Sequence, residues 1–403
     1  MPHPLPMDKA TELLARGADR HRAGRLAEAE SHYRRVLRLN PNHPDALNLL
    51  GLALRARGAL AEGLEHAARA VALAPDQPLM LANYGAGLAE AGQLDQAIEV
   101  MRSALARAPG DAVTWRNLGQ ALAAKGEPAA ALEPLLTAAK LSPDAPEAWL
   151  ALAHAHAEAG EPVGARAAAQ AALASAGRNR AATEQAQFML AALGEGTAPA
   201  RAPAGYVRQL FDQFAPRFDA ELEGRLNYRT PTLLAEALGA VLPANAALAV
   251  LDLGCGTGLS GVALKPFARR MEGVDLSPRM LDAARARGIY AALHEADLLA
   301  FLPTRRASYD IIAAADVLNY LGDLAPALAA MRAALRPNGV AAFSLETGDT
   351  APFELAAGMR YRHAPEHARG LARAAGFAVV SEAAATLREE QGKPVAGLLM
   401  VLR

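Results

Sequence analysis

Residues 250–258 read Val-Leu-Asp-Leu-Gly-Cys-Gly-Thr-Gly, an apolar run that breaks into a glycine-rich turn. Without side chains at Gly254, Gly256 and Gly258, the backbone can come close to a ligand, and a helix starting beyond the turn would face its N–H groups toward the ligand's polar end. Seventeen residues past Gly258, Asp275 closes a second apolar run. An acid at that point can accept both hydroxyls of a ribose. Asp297, in Glu-Ala-Asp-Leu, offers a carboxylate to an adenine amino group, and Leu276 and Leu298 could sandwich the ring. The chemistry these residues suit is nucleoside binding. Gly256-Thr-Gly-Leu-Ser-Gly261 also spells GxGxxG, the dinucleotide fingerprint, so a nicotinamide cofactor stays open at this level. Against it stand Asp252 just before the turn and the further acids Asp297 and Asp316 at successive strand ends.

The elements that must position these residues alternate between two kinds. Strand candidates are 247–254, 269–277, 307–318, 339–346, 377–386 and 395–403, with helical runs such as Pro278–Arg287 and Ala325–Leu335 between several of them. Such alternation predicts a mostly parallel sheet covered by helices on both faces. The segments Asp-Leu-Gly-Cys-Gly-Thr-Gly, Gly-Val-Asp-Leu-Ser, Glu-Ala-Asp and Tyr-Asp-Ile-Ile…Asp-Val-Leu resemble the class I S-adenosylmethionine-dependent methyltransferases over about residues 205–403. The resemblance implies an α/β Rossmann-like domain of seven strands with an antiparallel finish. It also implies S-adenosylmethionine as cofactor, with Gly254, Gly256 and Gly258 bordering its methionine part. Asp275 would then bind ribose, Asp297 would meet adenine, and Asp316 would lie near the sulfonium. Tyr206, Asp252, Cys255, Leu276, Met280 and Leu298 complete the expected cofactor set.

Before the first strand, residues 206–231 hold five of the chain's seventeen Phe and Tyr residues at helical spacing. Such a face could pack on the sheet, or it could close as a lid over a cation, which aromatic faces attract. Phe214 is the expected aromatic contact, and Arg229 could pair with the cofactor's carboxylate. This segment and the tail 387–397 resemble bacterial predicted methyltransferases that carry tetratricopeptide repeats. Displacement on a sulfonium needs alignment and exclusion of water, and a general base only when the acceptor carries a proton. Asn319, Tyr320, Glu346, Tyr361 and His363 are candidates for acceptor contact, with His363 as the base. His363-Ala-Pro-Glu-His367 matches H-x-x-E-H, but Pro365 predicts that a helix starts there and leaves His363 outside it, so no metal site is expected.

The first half repeats. Gly24, Gly58, Gly92, Gly126 and Gly160 lie 34 residues apart, as do Pro41, Pro75, Pro109 and Pro143. Leu47, Leu81, Trp115 and Trp149 share one position of the period, Gly51, Gly85 and Gly119 another, and Ala29, Gly63, Ala97, Ala131 and Ala165 a third. This pattern resembles the tetratricopeptide repeat, with five units over about residues 8–177 and an amphipathic stretch, 180–193, expected to cap the array. Residues 194–205, Gly-Glu-Gly-Thr-Ala-Pro-Ala-Arg-Ala-Pro-Ala-Gly, read as a semi-rigid linker. The expected organisation is an all-α repeat superhelix over 1–193, the linker 194–205, and a methyltransferase domain over 206–403 with a lid at 206–231.

Composition sets the bounds. Of 403 residues, 52% are hydrophobic and 21% charged, enough to bury large cores. Forty-one basic against 42 acidic residues argue against a nucleic-acid partner, and no run reaches membrane-spanning length. A single cysteine excludes a disulfide framework, and the expected location is cytoplasmic. The expected function is methyl transfer to an unidentified small molecule or protein, the repeat groove holding a protein or peptide partner. The alternative is a scaffold whose domain binds cofactor but turns over little.

Overall fold

The computed structural model describes residues 9–224, 228–243, 247–350, 352–390 and 392–403. The chain folds as two compact units, Met1–Ala176 and Gly177–Arg403. The first contains five helix pairs: Lys9–Arg22 with Leu26–Leu39, Pro44–Ala56 with Leu60–Leu73, Pro78–Glu90 with Leu94–Arg107, Ala112–Ala124 with Pro128–Leu141, and Pro146–Glu158 with Pro162–Ser175. The 34-residue period is therefore one helix pair. Gly24, Gly58, Gly92, Gly126 and Gly160 turn each pair at φ between +72° and +90°, a region that L side chains rarely adopt. Gly51 serves packing instead. A Cβ there would lie 2.7 Å from the Gly63 carbonyl oxygen, so the two helices of the pair touch backbone to backbone. Ala29, Ala97, Ala131 and Ala165 are fully buried at the matching small-residue position. Trp115 and Trp149 tie their helices to the preceding turns by donating Nε1–H to the carbonyls of Pro109 (2.8 Å) and Pro143 (2.9 Å).

The second unit is built on nine strands among the described residues: β1 Leu248–Leu253, β2 Ala268–Asp275, β3 Ala292–Glu295, β4 Tyr309–Ala314, β5 Leu335–Thr347, β6 Phe353–Leu355, β7 Tyr361–His363, β8 Val379–Glu390 and β9 Lys393–Leu402. β3, β2, β1, β4 and β5 run parallel in that order, and β9 then pairs antiparallel with β5 and β8 with β9. That path holds seven strands. The expected seven become nine because β7 joins the far end of β5 at Glu346 and Thr347, and β6 pairs with β7. β3, β6 and β7 are three or four residues long, too short to carry a period. Strand alternation splits the core across the sheet. Leu251, Leu253, Ile312, Phe343 and Leu345 pack on one face, and Val250, Ile311, Ala313, Val340 and Ala342 on the other.

Two segments differ from expectation. Helix Arg180–Ala192, expected to cap the repeats, groups with the second unit, where fully buried Phe188 sets its ring 5.3 Å from that of Tyr206 and 6.2 Å from that of Tyr361. Part of the linker docks as well. Pro199 accepts from Tyr361 Oη–H at 2.7 Å, Ala200 accepts the N–H groups of Gly322 and Asp323 at 2.9 Å, and Ala202 N–H donates to Tyr320 at 2.8 Å. An extended Pro- and Ala-rich segment has no internal hydrogen bonds, so its backbone is free to join a neighbouring chain. Among the described residues no helix is long and apolar enough to cross a membrane.

Gly51→Ala sets a gain in helix propensity of about 0.5–1 kcal/mol against a backbone clash. The clash should dominate, and urea unfolding should report a loss of about 1–3 kcal/mol, typical of overpacking. Gly110→Ala, where a Cβ meets nothing within 4 Å, should stay within about 0.5 kcal/mol of the parent.

Candidate functional site

In a parallel sheet the loops leaving the carboxyl ends of the strands share one edge, and ligands bind there. The acids singled out in the sequence collect at that edge. Asp252 lies in β1, Asp275 ends β2, Asp297 follows β3 and Asp316 follows β4. The turn after β1 carries Gly254, Gly256 and Gly258 at φ of +62°, +51° and +95°. A Cβ on Gly254 would overlap Val317 at 2.3 Å, so only glycine fits; above Gly256 the nearest atoms are the Phe218 ring, 3.8 Å from where a Cβ would stand. The turn thus leaves a shallow, backbone-floored cradle beneath Phe218.

Asp275 braces this turn. Its carboxylate accepts N–H from Gly256 at 2.9 Å and from Ser277 at 2.8 Å. Burial pushes its pKa up to about 6, against the opposing pull of those N–H groups. Asp252 is fully buried and accepts from Ser260 Oγ (2.7 Å) and Tyr290 Oη (2.6 Å); burial lifts it to about 6 as well. Cys255 lies inside the turn, its N–H donating to Val274 and its carbonyl accepting Gly258 N–H. Burial, with Asp252 and Asp275 nearby, pushes its thiol far up, which leaves no reactive thiolate. Met280 is fully buried, with its N–H on Ser277 Oγ, and Leu298 packs against the core. Leu276 adds a backbone N–H to the Asp275 carboxylate.

The segment before β1 forms helix Ala204–Phe214, a 3-10 turn and helix Phe218–Gly224; residues 225–227 of the expected lid lie outside the described residues. Two acids that the sequence reading passed over fasten it to the turn. Asp212 accepts from Ser277 Oγ at 2.6 Å, and Asp219 accepts from Thr257 Oγ1 and the Arg287 guanidinium, both at 2.5 Å. Phe211 stands edge-on to Phe218 (6.2 Å) and to Tyr320 (5.6 Å). Phe214, the expected aromatic contact, already carries a cation: the Arg217 guanidinium lies 5.1 Å over its ring. Tyr206 faces Phe188, and Arg229 is exposed at the start of helix Thr230–Val241, where an N-cap side chain meets solvent.

The cation beside Asp316 is Arg388, which reaches it from β8. Asp316 sits in the left-handed region at φ +55°, held by Ser344 Oγ (2.8 Å), Asn319 (3.4 Å) and Arg388 (3.2 Å). Arg388 also pairs with Glu346 and with Glu390 (2.8 Å), and Arg360 pairs with Glu346 (2.9 Å) and Glu390. Burial alone would loosen the Arg388 proton, but Asp316, Glu346 and Glu390 outweigh it and hold the group firmly charged. Three carboxylates therefore meet two guanidiniums, an excess of one negative charge beside Tyr320. Spacing alone gave no sign of this cluster, because its members come from four strand ends. Asn319 is a brace, its carbonyl accepting Glu346 N–H at 2.8 Å.

Two expected acceptor contacts are core residues. Tyr361 is fully buried, its hydroxyl committed to Pro199. His363 is 1% exposed beside Phe353, and burial takes its pKa down to about 4, which leaves it neutral and a weak base. As the proline position predicts, a helix starts at Pro365 and His363 stays in β7. Asp297 caps helix Leu298–Phe301 by accepting Leu299 N–H at 2.9 Å, and both its oxygens also take the Arg201 guanidinium. Burial would raise Asp297, but Arg201 overrides it and holds the carboxyl below its ordinary range. Among the described residues no group of three or more His, Cys, Asp or Glu side chains could hold a metal ion.

Residues 250–339 match the family model of the methyltransferase domain, and residues 14–78, 85–146 and 126–182 match that of the tetratricopeptide repeat. Methyltransferase-like protein 27 of Homo sapiens is 41% identical over 86 residues, 21% of this chain and 34% of that protein. Trans-aconitate 2-methyltransferase of Paracidovorax citrulli is 35% identical over 113 residues, 28% of this chain and 44% of that protein. A solved S-adenosylmethionine dependent methyltransferase from Mesorhizobium loti is 24% identical, covering 42% of this chain and 96% of its own, at a TM-score of 0.34. The chain spans less than half the length of these two curated relatives.

Arg388→Met keeps the bulk but strands Asp316 without its cation and leaves Glu346 and Glu390 to share Arg360. Thermal or urea unfolding should report a loss of about 3–5 kcal/mol, the range for a broken buried pair. The deficit should shrink as pH falls, because protonation neutralises the stranded acids.

Proposed function

We propose, from a chain that joins tetratricopeptide repeats to a class I methyltransferase domain whose cofactor is S-adenosylmethionine, that the protein transfers the cofactor's methyl group to an acceptor admitted beside Asp316, Tyr320 and Glu346. The observation that carries this reading is the brace of Asp275 on a three-glycine turn. It supplies a ribose-facing acid and a side-chain-free floor in one place. The residues present fit the group, since a Cβ on Gly256 would fill the cradle under Phe218. Bound there, the cofactor would supply an electrophilic methyl on a sulfonium, open to displacement by an acceptor lone pair. The excess negative charge of the Asp316 cluster favours a cationic group beside it. Phe211, Phe218 and Tyr320 keep water away from this end, and Asp212 and Asp219 tie the segment that carries the two phenylalanines to Ser277 and Thr257.

The repeats serve a protein or peptide partner, as such arrays generally do, either the acceptor or a carrier of it. Neutral net charge argues against nucleic acid as the acceptor, and the lone buried cysteine suits a reducing, cytoplasmic setting. One observation favours the second reading, a scaffold with little turnover. Both oxygens of Asp297 are engaged by Arg201 and Leu299, so an adenine amino group has to compete for them. Formation of S-adenosylhomocysteine in cell extract supports the enzyme; cofactor binding without turnover supports the scaffold.

Asp275 must be ionised to accept ribose hydroxyls, and its pKa is raised to about 6. Calorimetry should therefore find S-adenosylmethionine affinity constant above pH 7 and falling by up to about tenfold per unit below 6. Asp275→Asn should bind weakly with no such titration; tight binding by this variant would refute the ribose assignment. Stability runs the other way. Carboxylates raised to about 6 bind more protons folded than unfolded, so the protein without cofactor should gain stability as pH falls from about 6 toward 4.

A further inference from the structure

The opposite edge of the sheet, where β1, β2, β4 and β5 begin, carries a half-open cavity of about 470 Å³. Arg269 and Arg270 of β2, Arg305 from the turn before β4, and Arg336 of β5 line it, together with Ser308 and Tyr309. The acids nearby are already spent. Glu272 takes Arg270 (2.9 Å), His294 (3.0 Å) and the Tyr309 hydroxyl (3.1 Å); Asp310 takes Arg336 (2.9 Å) and the Ala249 N–H (2.9 Å). Arg269 and Arg305 stand in no ion pair among the described residues. Arg305 lays its guanidinium 4.8 Å over the Phe301 ring, and its buried Nε has no hydrogen-bond partner there.

We propose that this cavity is an anion site that takes a small ligand bearing two or more phosphate groups, separate from the cofactor crevice. Glu272 and Asp310 offset Arg270 and Arg336, so the pocket keeps the two positive charges of Arg269 and Arg305; that excess calls for a multivalent anion, and guanidinium forks match phosphate oxygens well. The arginines approach from three elements around the cavity. That arrangement suits the oxygens of a tetrahedral phosphate better than a planar carboxylate, which one fork satisfies from one side. The cavity is larger than a single phosphate needs, which is why two are inferred. A nucleic-acid strand would instead call for an extended basic stripe.

Inorganic pyrophosphate is the probe, titrated calorimetrically into the full-length protein at low salt. Binding is expected that weakens at least tenfold in Arg269→Ala/Arg305→Ala and at least fivefold in Arg269→Glu, whose exposed position spares the fold, while Asp275→Asn leaves it unchanged. Citrate, a planar-carboxylate anion of similar charge, is expected to bind more weakly. Absence of binding at millimolar pyrophosphate, binding that survives the arginine substitutions, loss of binding in Asp275→Asn, or citrate binding as tight as pyrophosphate would each overturn the proposal.

Discussion

The carboxylate of Asp275 is the constraint around which the candidate site is arranged. By accepting the N–H groups of Gly256 and Ser277 it ties the end of β2 to the turn after β1. That turn exists only because three glycines tolerate left-handed backbone. Ser277 passes the restraint on: its hydroxyl donates to Asp212, and Asp219 grips Thr257 and Arg287 on the other side of the turn. The segment before β1 and the glycine turn are thus joined through short polar side chains, and the acid at the centre stays near its switching point because burial and hydrogen bonding oppose each other.

Beyond the turn, the Asp316, Glu346, Glu390, Arg360 and Arg388 cluster is expensive to bury, and apolar side chains of similar size would often give a more stable domain. What such a cluster provides is a fixed field at a strand edge. Its members are held in place by bonds to one another and to Asn319 and Ser344, so little reorganisation is needed when a charge arrives. The docked segment 199–202 borders the same region through Tyr320 and Tyr361, and through Arg201 it reaches Asp297. Residues that look like a tether therefore belong to the wall of the domain.

Much of this was legible in the chain itself. The 34-residue spacing of Gly24 and its equivalents encodes the helix pairs directly, because each period contains one turn that needs positive φ. The acids at 252, 275 and 316 could be placed at strand ends because buried parallel strands announce themselves as apolar runs, whereas Asp297 follows a strand with no such run and was placed by the family resemblance. Tyr361 and His363 misled, since a Tyr or His after a strand looks the same whether it faces a ligand or a core. β3, β6 and β7 were too short for any pattern, and residues 194–205 lacked the hydrophobic period by which packed segments reveal themselves.

Local sequence determined what local physics decides: where backbone must turn left-handed, which helices repeat, which strands are buried and which acids leave them. Tertiary structure alone decided which cation meets which acid. Arg388 lies 72 residues from Asp316, and Arg201 lies 96 from Asp297. Long charged side chains carry no periodic signal, and their partners are chosen by the register of strands far apart in the chain. The aromatic segment before β1 obeyed the same rule: its helical spacing was written in the residues, but whether Phe214 or Phe218 faced the glycines depended on where Arg217 and the turn came to rest.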